Sequence, residues 1–164
     1  MNVFLIAALS ADGFIARDAH HLASWTSKED KRFFVEKTAS AGVVVMGSHT
    51  YETIGKPLKG RLNIVYSRSR SYEGVEVTQQ EPAALLKDLE QRGYHEVAII
   101  GGAHVYTLFM SAGLINTLYL TVEPLTFGQG LPLFNKPVEA NLRLKDTTRL
   151  GENSIALEYE VLAP

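Results

Sequence analysis

The stretch WTSKEDKRFF, Trp25 to Phe34, sets an aspartate among aromatic residues. Thr26 followed three residues later by Glu29 has the spacing of a capping box, so a helix is expected to begin there. On that helix Asp30, Phe33, Phe34 and Lys37 stand at i, i+3, i+4 and i+7 and share one face. An acid on an apolar face has two accounts. The plainer one makes Asp30 a first-turn residue favoured by the positive end of the helix macrodipole, by roughly 0.3–1 kcal/mol. The other puts it at the rim of an apolar pocket whose ligand supplies its hydrogen-bond partners, because a buried unpaired carboxylate costs too much to keep.

Other residues carry chemistry by position. Gly101 and Gly102 follow the apolar run VAII (97–100) and precede a helical stretch. A strand–glycine–helix junction of this kind aims backbone N–H groups and a helix N-terminus at an anion such as phosphate. It lacks the full glycine spacing of the dinucleotide fingerprint, and a tight turn explains two glycines equally well. The run VVVM (43–46) followed by GSHT (47–50) forms a second junction, and two would suit a ligand with more than one phosphate. Arg61 precedes the run LNIVY (62–66), where a guanidinium can grip a carboxylate or phosphate with two prongs; a lone arginine is more often a solvated charge. The five histidines show no HExxH spacing and no serine sits in a GxSxG elbow, so neither a metal site nor nucleophilic hydrolysis is expected.

The elements that must position these residues are legible as short apolar runs: VFLIAAL (3–9), VVVM (43–46), LNIVY (62–66), VAII (97–100) and TLYLTV (117–122). Runs apolar on both faces imply a sheet covered on both sides. Helices are expected over 27–40, 48–54, 81–92, with Pro82 in a first turn and Gly93 as a stop, and 103–112. Strands alternating with helices imply parallel pairing. The tail departs from this rhythm, because NLRLKDTTRL (141–150) and SIALEYEVL (154–162) read as an antiparallel hairpin joined by GEN (151–153). GQGLPLFNKP (128–137) reads as a loop.

With 164 residues, 46% hydrophobic and 21% charged, the chain is expected to form one domain over 1–164 with a core that needs no staples. The absence of cysteine removes disulfides and thiolate chemistry and suits a reducing compartment, the cytoplasm by default. A net charge of −2 and a densest basic stretch, Arg61 to Arg70, with three arginines argue against a nucleic-acid partner. The run Val3–Leu9 is too short to span a membrane and lacks the charged start of a signal peptide, so it is expected as a buried strand. Oligomeric state stays open between monomer and homodimer.

Taken in order, LIAALSADGFIA (5–16), the acid five residues after Trp25, MGSHTYETIGKPLKGRLNIVYSRS (46–69), VAIIGGAHVY (97–106) and LYLTVE (118–123) resemble dihydrofolate reductase. The resemblance implies an α/β three-layer sandwich with a mixed, mostly parallel eight-stranded sheet, helices on both faces and a C-terminal antiparallel hairpin. It implies NADPH as hydride donor and dihydrofolate as acceptor. Asp30 matches the acid that pairs with the pterin, and so becomes the expected catalytic residue. Trp25, Phe34, Ile6, Ala8, Ile54, Leu58 and Thr121 match the substrate pocket, and Arg61 the arginine that holds the folate carboxylate. Ala8, Ile15 and Ala16 would border the nicotinamide. Gly47, Ser48, His49, Thr50, Tyr66, Ser67, Arg68, Ile100, Gly101, Gly102, Ala103, His104, Val105 and Tyr106 would hold the rest of NADPH, with a cis peptide between Gly101 and Gly102.

The resemblance has departures. Ser48 stands where the family usually has an arginine on the 2′-phosphate, and His104 where another basic residue is common, which leaves Arg68 to supply the charge. The loop RDAHHLAS (17–24) is longer than usual and lacks the usual proline before the tryptophan. SADGFIA, WTSKED, LTVEP and GQGLPLF resemble more closely the reductase domain of riboflavin biosynthesis, whose acceptor is a ribosylated aminopyrimidine. That domain generally lacks an acid at the position of Asp30, so Asp30 and Arg61 favour folate. A third reading, of another class, is a nucleotide-binding module without turnover.

Overall fold

Successive residues of a strand point to opposite faces of a sheet. In the computed structural model, which describes residues 1–164, each apolar run divides on that period. Val3, Leu5, Val43, Val45, Val97 and Ile99 enter one core together with Leu85, Leu89, Val105 and Phe109. Phe4, Ile6, Val44, Met46, Ala98 and Ile100 enter a second core on the other face, with Ala41 and Tyr51. The continuous runs are therefore strands buried on both sides.

The strands are β1 (Asn2–Ser10), β2 (Phe14–Ala16), β3 (Val43–Gly47), β4 (Leu62–Tyr66), β5 (Glu76–Thr78), β6 (Glu96–Gly101), β7 (Thr117–Glu123), β8 (Leu131–Pro132), β9 (Leu142–Leu150) and β10 (Ser154–Val161). The helices are α1 (Lys28–Ala41), α2 (Ser48–Ile54), α3 (Pro82–Gln91) and α4 (Ala103–Ser111), with a 3-10 turn at Ala23–Trp25. Eight strands form one sheet in the order β5-β4-β3-β6-β1-β7-β10-β9. All pairs from β5 to β7 are parallel, and β10 and β9 close the sheet as the expected antiparallel hairpin. No helix is long and apolar enough to cross a membrane.

Four details differ from expectation. The cap of α1 is Ser27, whose Oγ accepts from the Asp30 N–H at 3.0 Å, and not a Thr26–Glu29 box. Thr26 is drawn the other way, its hydroxyl donating to the Ala23 carbonyl and accepting from Lys31 Nζ. The shared face of Asp30, Phe33, Phe34 and Lys37 splits: the Phe33 ring and Lys37 Nζ meet Tyr119, while the buried stripe is Asp30, Thr38 and Ala41. Two strands went unanticipated, β5, which is too short to show alternation, and β8, which lies inside 128–137 and pairs with β2.

Candidate active site

The carboxyl ends of β3, β6, β1 and β7 lie side by side, and parallel α/β sheets gather ligands at that end. Helix α1, packed on β6 and β3, reaches β7 there through side chains, and the contact repeats at the strand's period of two. Lys37 Nζ lies 4.5 Å from the Tyr119 ring centre, Asp30 faces the Thr121 hydroxyl, and Ser27 is bonded to Glu123. Descending α1 by about two turns from Lys37 to Asp30, and by about one more to Ser27, thus matches ascending β7 from Tyr119 to Thr121 to Glu123. Thr121 is in turn the neighbour of Ala8 on β1, and Tyr119 that of Ile6.

Asp30 is 8% exposed. Burial pushes its carboxyl above the usual carboxylate range; the Thr121 hydroxyl opposes this, the Glu123 carboxylate reinforces it, and Lys31 weakly opposes it. Phe34, Ile54 and Leu58 pack at the margin of the second core beside Ile6 and Ile100, so the acid opens onto an apolar wall. At the far end of the same helix face the Arg61 guanidinium donates to Thr38 Oγ1 at 2.8 Å and to the Lys59 carbonyl at 3.0 Å. Burial holds the Arg61 guanidinium somewhat below its usual range. A planar ligand that is polar at one edge, apolar in the middle and anionic at its end matches this order of residues.

The two glycine junctions meet. A Cβ on Gly47 would lie 3.4 Å from Val105 Cγ2, and one on Gly101 would lie 3.2 Å from Thr50 Oγ1 and 3.4 Å from Tyr106 Oη. Side chains there would fill the gap between the N-termini of α2 and α4. Gly47 and Gly102 cap those helices without any side-chain hydrogen bond, which leaves the first-turn N–H groups of α4, at Ala103, His104 and Val105, without a side-chain acceptor. The Gly101–Gly102 peptide is cis. These features fit a phosphate-bearing cofactor.

The other cofactor candidates are distributed around this gap. Tyr106 is buried and donates to the Ile6 carbonyl at 2.7 Å; burial raises its proton affinity first and the Asp30 charge second. Tyr66 packs on Phe109 and donates to the Gln80 carbonyl, so its hydroxyl is already committed; burial pushes it up to about 12. Ser67 accepts from the Arg70 N–H, Ser48 is half-buried, and His49, His104 and Arg68 are exposed. Arg70 is engaged by Glu52, which also accepts from Tyr72 at 2.8 Å. Ile15 packs against the first core and Ala16 pairs with Leu131. Trp25 joins an aromatic cluster with His21 and Phe127, ring centres 6.3 and 5.1 Å away, which ties the 17–25 loop to the segment after β7. Asp12 fixes that segment by accepting from the N–H groups of Phe127 and Gly128 and from Ser10 Oγ.

Sequence reasoning missed three polar residues here: Ser27, Thr38 and Glu123. Glu123 is 2% exposed and accepts from Ser27 N at 2.9 Å and Ser27 Oγ at 3.0 Å. Its one signal was an acid two residues beyond Thr121, on the same face of an otherwise apolar strand. Nowhere do three or more histidine, cysteine or acidic side chains gather as metal ligands do.

A family model described as dihydrofolate reductase matches residues 2–140. The type 3 dihydrofolate reductase of Salmonella typhimurium is 41% identical over 125 residues, covering 74% of this chain and 71% of its own. An uncharacterised protein of Bacillus subtilis, YwjB, is 29% identical over 167 residues and covers 94% of this chain and 95% of its own. A putative riboflavin biosynthesis protein from Shewanella sp. PV-4 has the same fold, with a TM-score of 0.84 at 21% identity, covering 99% of this chain and 100% of its own. A pyrimidine reductase-like protein from Corynebacterium diphtheriae superposes with a TM-score of 0.80 at 18% identity, covering 99% and 92%. At those identities the structural likeness speaks for the fold alone.

Proposed function

The chain belongs to the dihydrofolate reductase family, and from that premise we propose that it reduces 7,8-dihydrofolate to tetrahydrofolate with NADPH. The observation that carries this reading is Asp30, a buried acid between an apolar wall and the Thr121 hydroxyl, in line with Arg61. NADPH supplies, when bound, a hydride from nicotinamide C4 to pterin C6. Asp30 pairs with the 2-amino group and N3 edge of the pterin and thereby sets its orientation. Because burial raises its proton affinity, it also keeps a proton available for N5, relayed by water. Phe34, Ile54 and Leu58 cover the ring and exclude solvent, and Arg61 holds the carboxylate of the glutamate tail. The first-turn N–H groups of α4 and the side chain of Arg68 hold the cofactor's phosphates.

A second acceptor, a ribosylated aminopyrimidine, is favoured by the motifs SADGFIA, LTVEP and GQGLPLF. SADGFIA and GQGLPLF build the Asp12 clasp and the β2–β8 pair on the loop side of the site, while LTVEP carries Thr121, which faces Asp30, and Glu123, which is bonded to Ser27. Purified protein mixed with NADPH and either acceptor, with loss of nicotinamide absorbance as readout, decides between them. Oxidation with dihydrofolate supports the proposal, and oxidation with the pyrimidine alone replaces it. Cofactor binding with oxidation of neither leaves a nucleotide-binding module.

A further inference from the structure

Glu123 is the second carboxylate of the site, and nothing in the proposed chemistry uses it. It ends the face of β7 that also carries Tyr119 and Thr121, and both of its oxygens act as acceptors, Oε2 for the Ser27 N–H and Oε1 for the Ser27 hydroxyl. Since the Ser27 hydroxyl spends its proton on Glu123, its lone pair is turned to the Asp30 N–H, and the cap of α1 is locked from outside the helix. A cap needs no such second acceptor, because a serine alone satisfies the N3 donor. A buried acid with two donors and no cationic partner is better explained by what it does to its neighbour.

We propose that Glu123 is a positioning residue for Asp30: through Ser27 it fixes the first turn of α1, and it sets its own carboxyl beside that of Asp30. The inference rests on the reductase reading. Its consequence is that Asp30 retains its proton to higher pH than burial alone would give, since like charges disfavour each other's ionised forms. The other groups facing Asp30 do not substitute for it. On α1, Lys31 acts in the opposite sense, and its ammonium is held by the Thr26 carbonyl at 2.6 Å. Glu29 on the same turn lies against the Gly151 hairpin turn. On β7 Thr121 carries no charge, and on α4 Tyr106 gives its proton to the Ile6 carbonyl. The strand β1 carries no titratable side chain between Asn2 and Ser10.

The test is Glu123→Gln, which keeps the shape and one acceptor oxygen but removes the charge. The Asp30 carboxyl is titrated by NMR in ligand-free wild type and variant, and the pH profile of kcat is recorded on whichever acceptor the wild type reduces. The expected result is an Asp30 midpoint lower by roughly one pH unit in Glu123→Gln, with the alkaline limb of kcat moving down equally. At neutral pH the variant then turns over up to about tenfold more slowly, the factor that one pH unit represents. Unchanged midpoints and profiles overturn the proposal and leave Glu123 a structural cap. If Glu123→Gln fails to fold, the Glu123 carboxyl itself is followed in wild type. An ionised resonance throughout the Asp30 titration supports the proposal, and joint titration overturns it. Failure of the wild type to reduce either acceptor would overturn the functional reading instead, and the NMR midpoints would still decide the role of Glu123.

Discussion

A buried carboxyl whose proton affinity is raised by the fold works against the fold once it ionises. For Asp30 the sign is explicit: the favourable, protonated state is fully present below the ordinary aspartate range, and its stabilisation is lost as pH rises through the raised native value. Asp30→Asn should therefore be more stable than wild type at pH 7, and thermal unfolding should show this gain shrinking as pH falls toward the ordinary aspartate range and the wild-type acid takes up its proton. Each kcal/mol gained corresponds to roughly 2–4 °C in a chain of this size. The same variant should lose about a hundredfold or more in turnover at neutral pH, the usual worth of a positioned proton donor. Arg68 offers a second test at this scale. Its neighbour Arg70 is tied to Glu52, while Arg68 is exposed, and the proposed NADPH reading assigns its guanidinium to the 2′-phosphate. Arg68→Ala should raise KM for NADPH roughly tenfold while leaving KM for NADH nearly unchanged, as steady-state kinetics with both cofactors will read. Asp30 and Arg61 were legible in the sequence because a charge beside aromatics or at a strand entrance breaks a pattern. Glu123 was not, because its partner Ser27 stands 96 residues away and no local spacing joins them.

At the scale of elements, the five long apolar runs and four helices were legible because burial on both faces writes an unbroken signal. Where an element is made by its partner, the signal vanishes. Strand β8 contains a proline just after a glycine-rich turn and exists only because β2 pairs with it. Gly130 shows how closely the two approach: a Cβ there would collide with the Ala16 carbonyl oxygen and press on the Phe14 side chain at 3.2 Å. Gly130→Ala should open this small sheet without reaching either core. Hydrogen exchange should speed up at the Phe14–Ala16 amides and leave those of β1 and β6 protected. If Ile15 and Ala16 border the nicotinamide, KM for NADPH should rise in the same variant, and an unchanged KM would remove these two residues from the cofactor site.

For the whole molecule, the hairpin beyond the segment matched by the family model matters to the site, because β10 pairs along β7 from Thr117 to Val122 and seals Ala156 into the sheet. Removing residues 141–164 would bare the edge of the strand that carries Thr121 and Glu123, and exposed apolar edges invite association. The truncated chain should be recovered as aggregate, judged by its distribution between soluble and insoluble fractions. The strand order has a further effect, one that plays out in time. The two neighbours of β1 are β6 and β7, so its register with Glu96 and Thr117 must wait for the later half of the chain. At about 5–20 residues per second of synthesis, Val3 to Ala7 remain unpaired for roughly 5–20 s. A nascent chain arrested before Glu96 should therefore be protease-sensitive and held by chaperones, and should become resistant only after β7 has emerged: a strand buried on both faces of the finished sheet is made first and stays bare on the ribosome until the later half of the chain arrives.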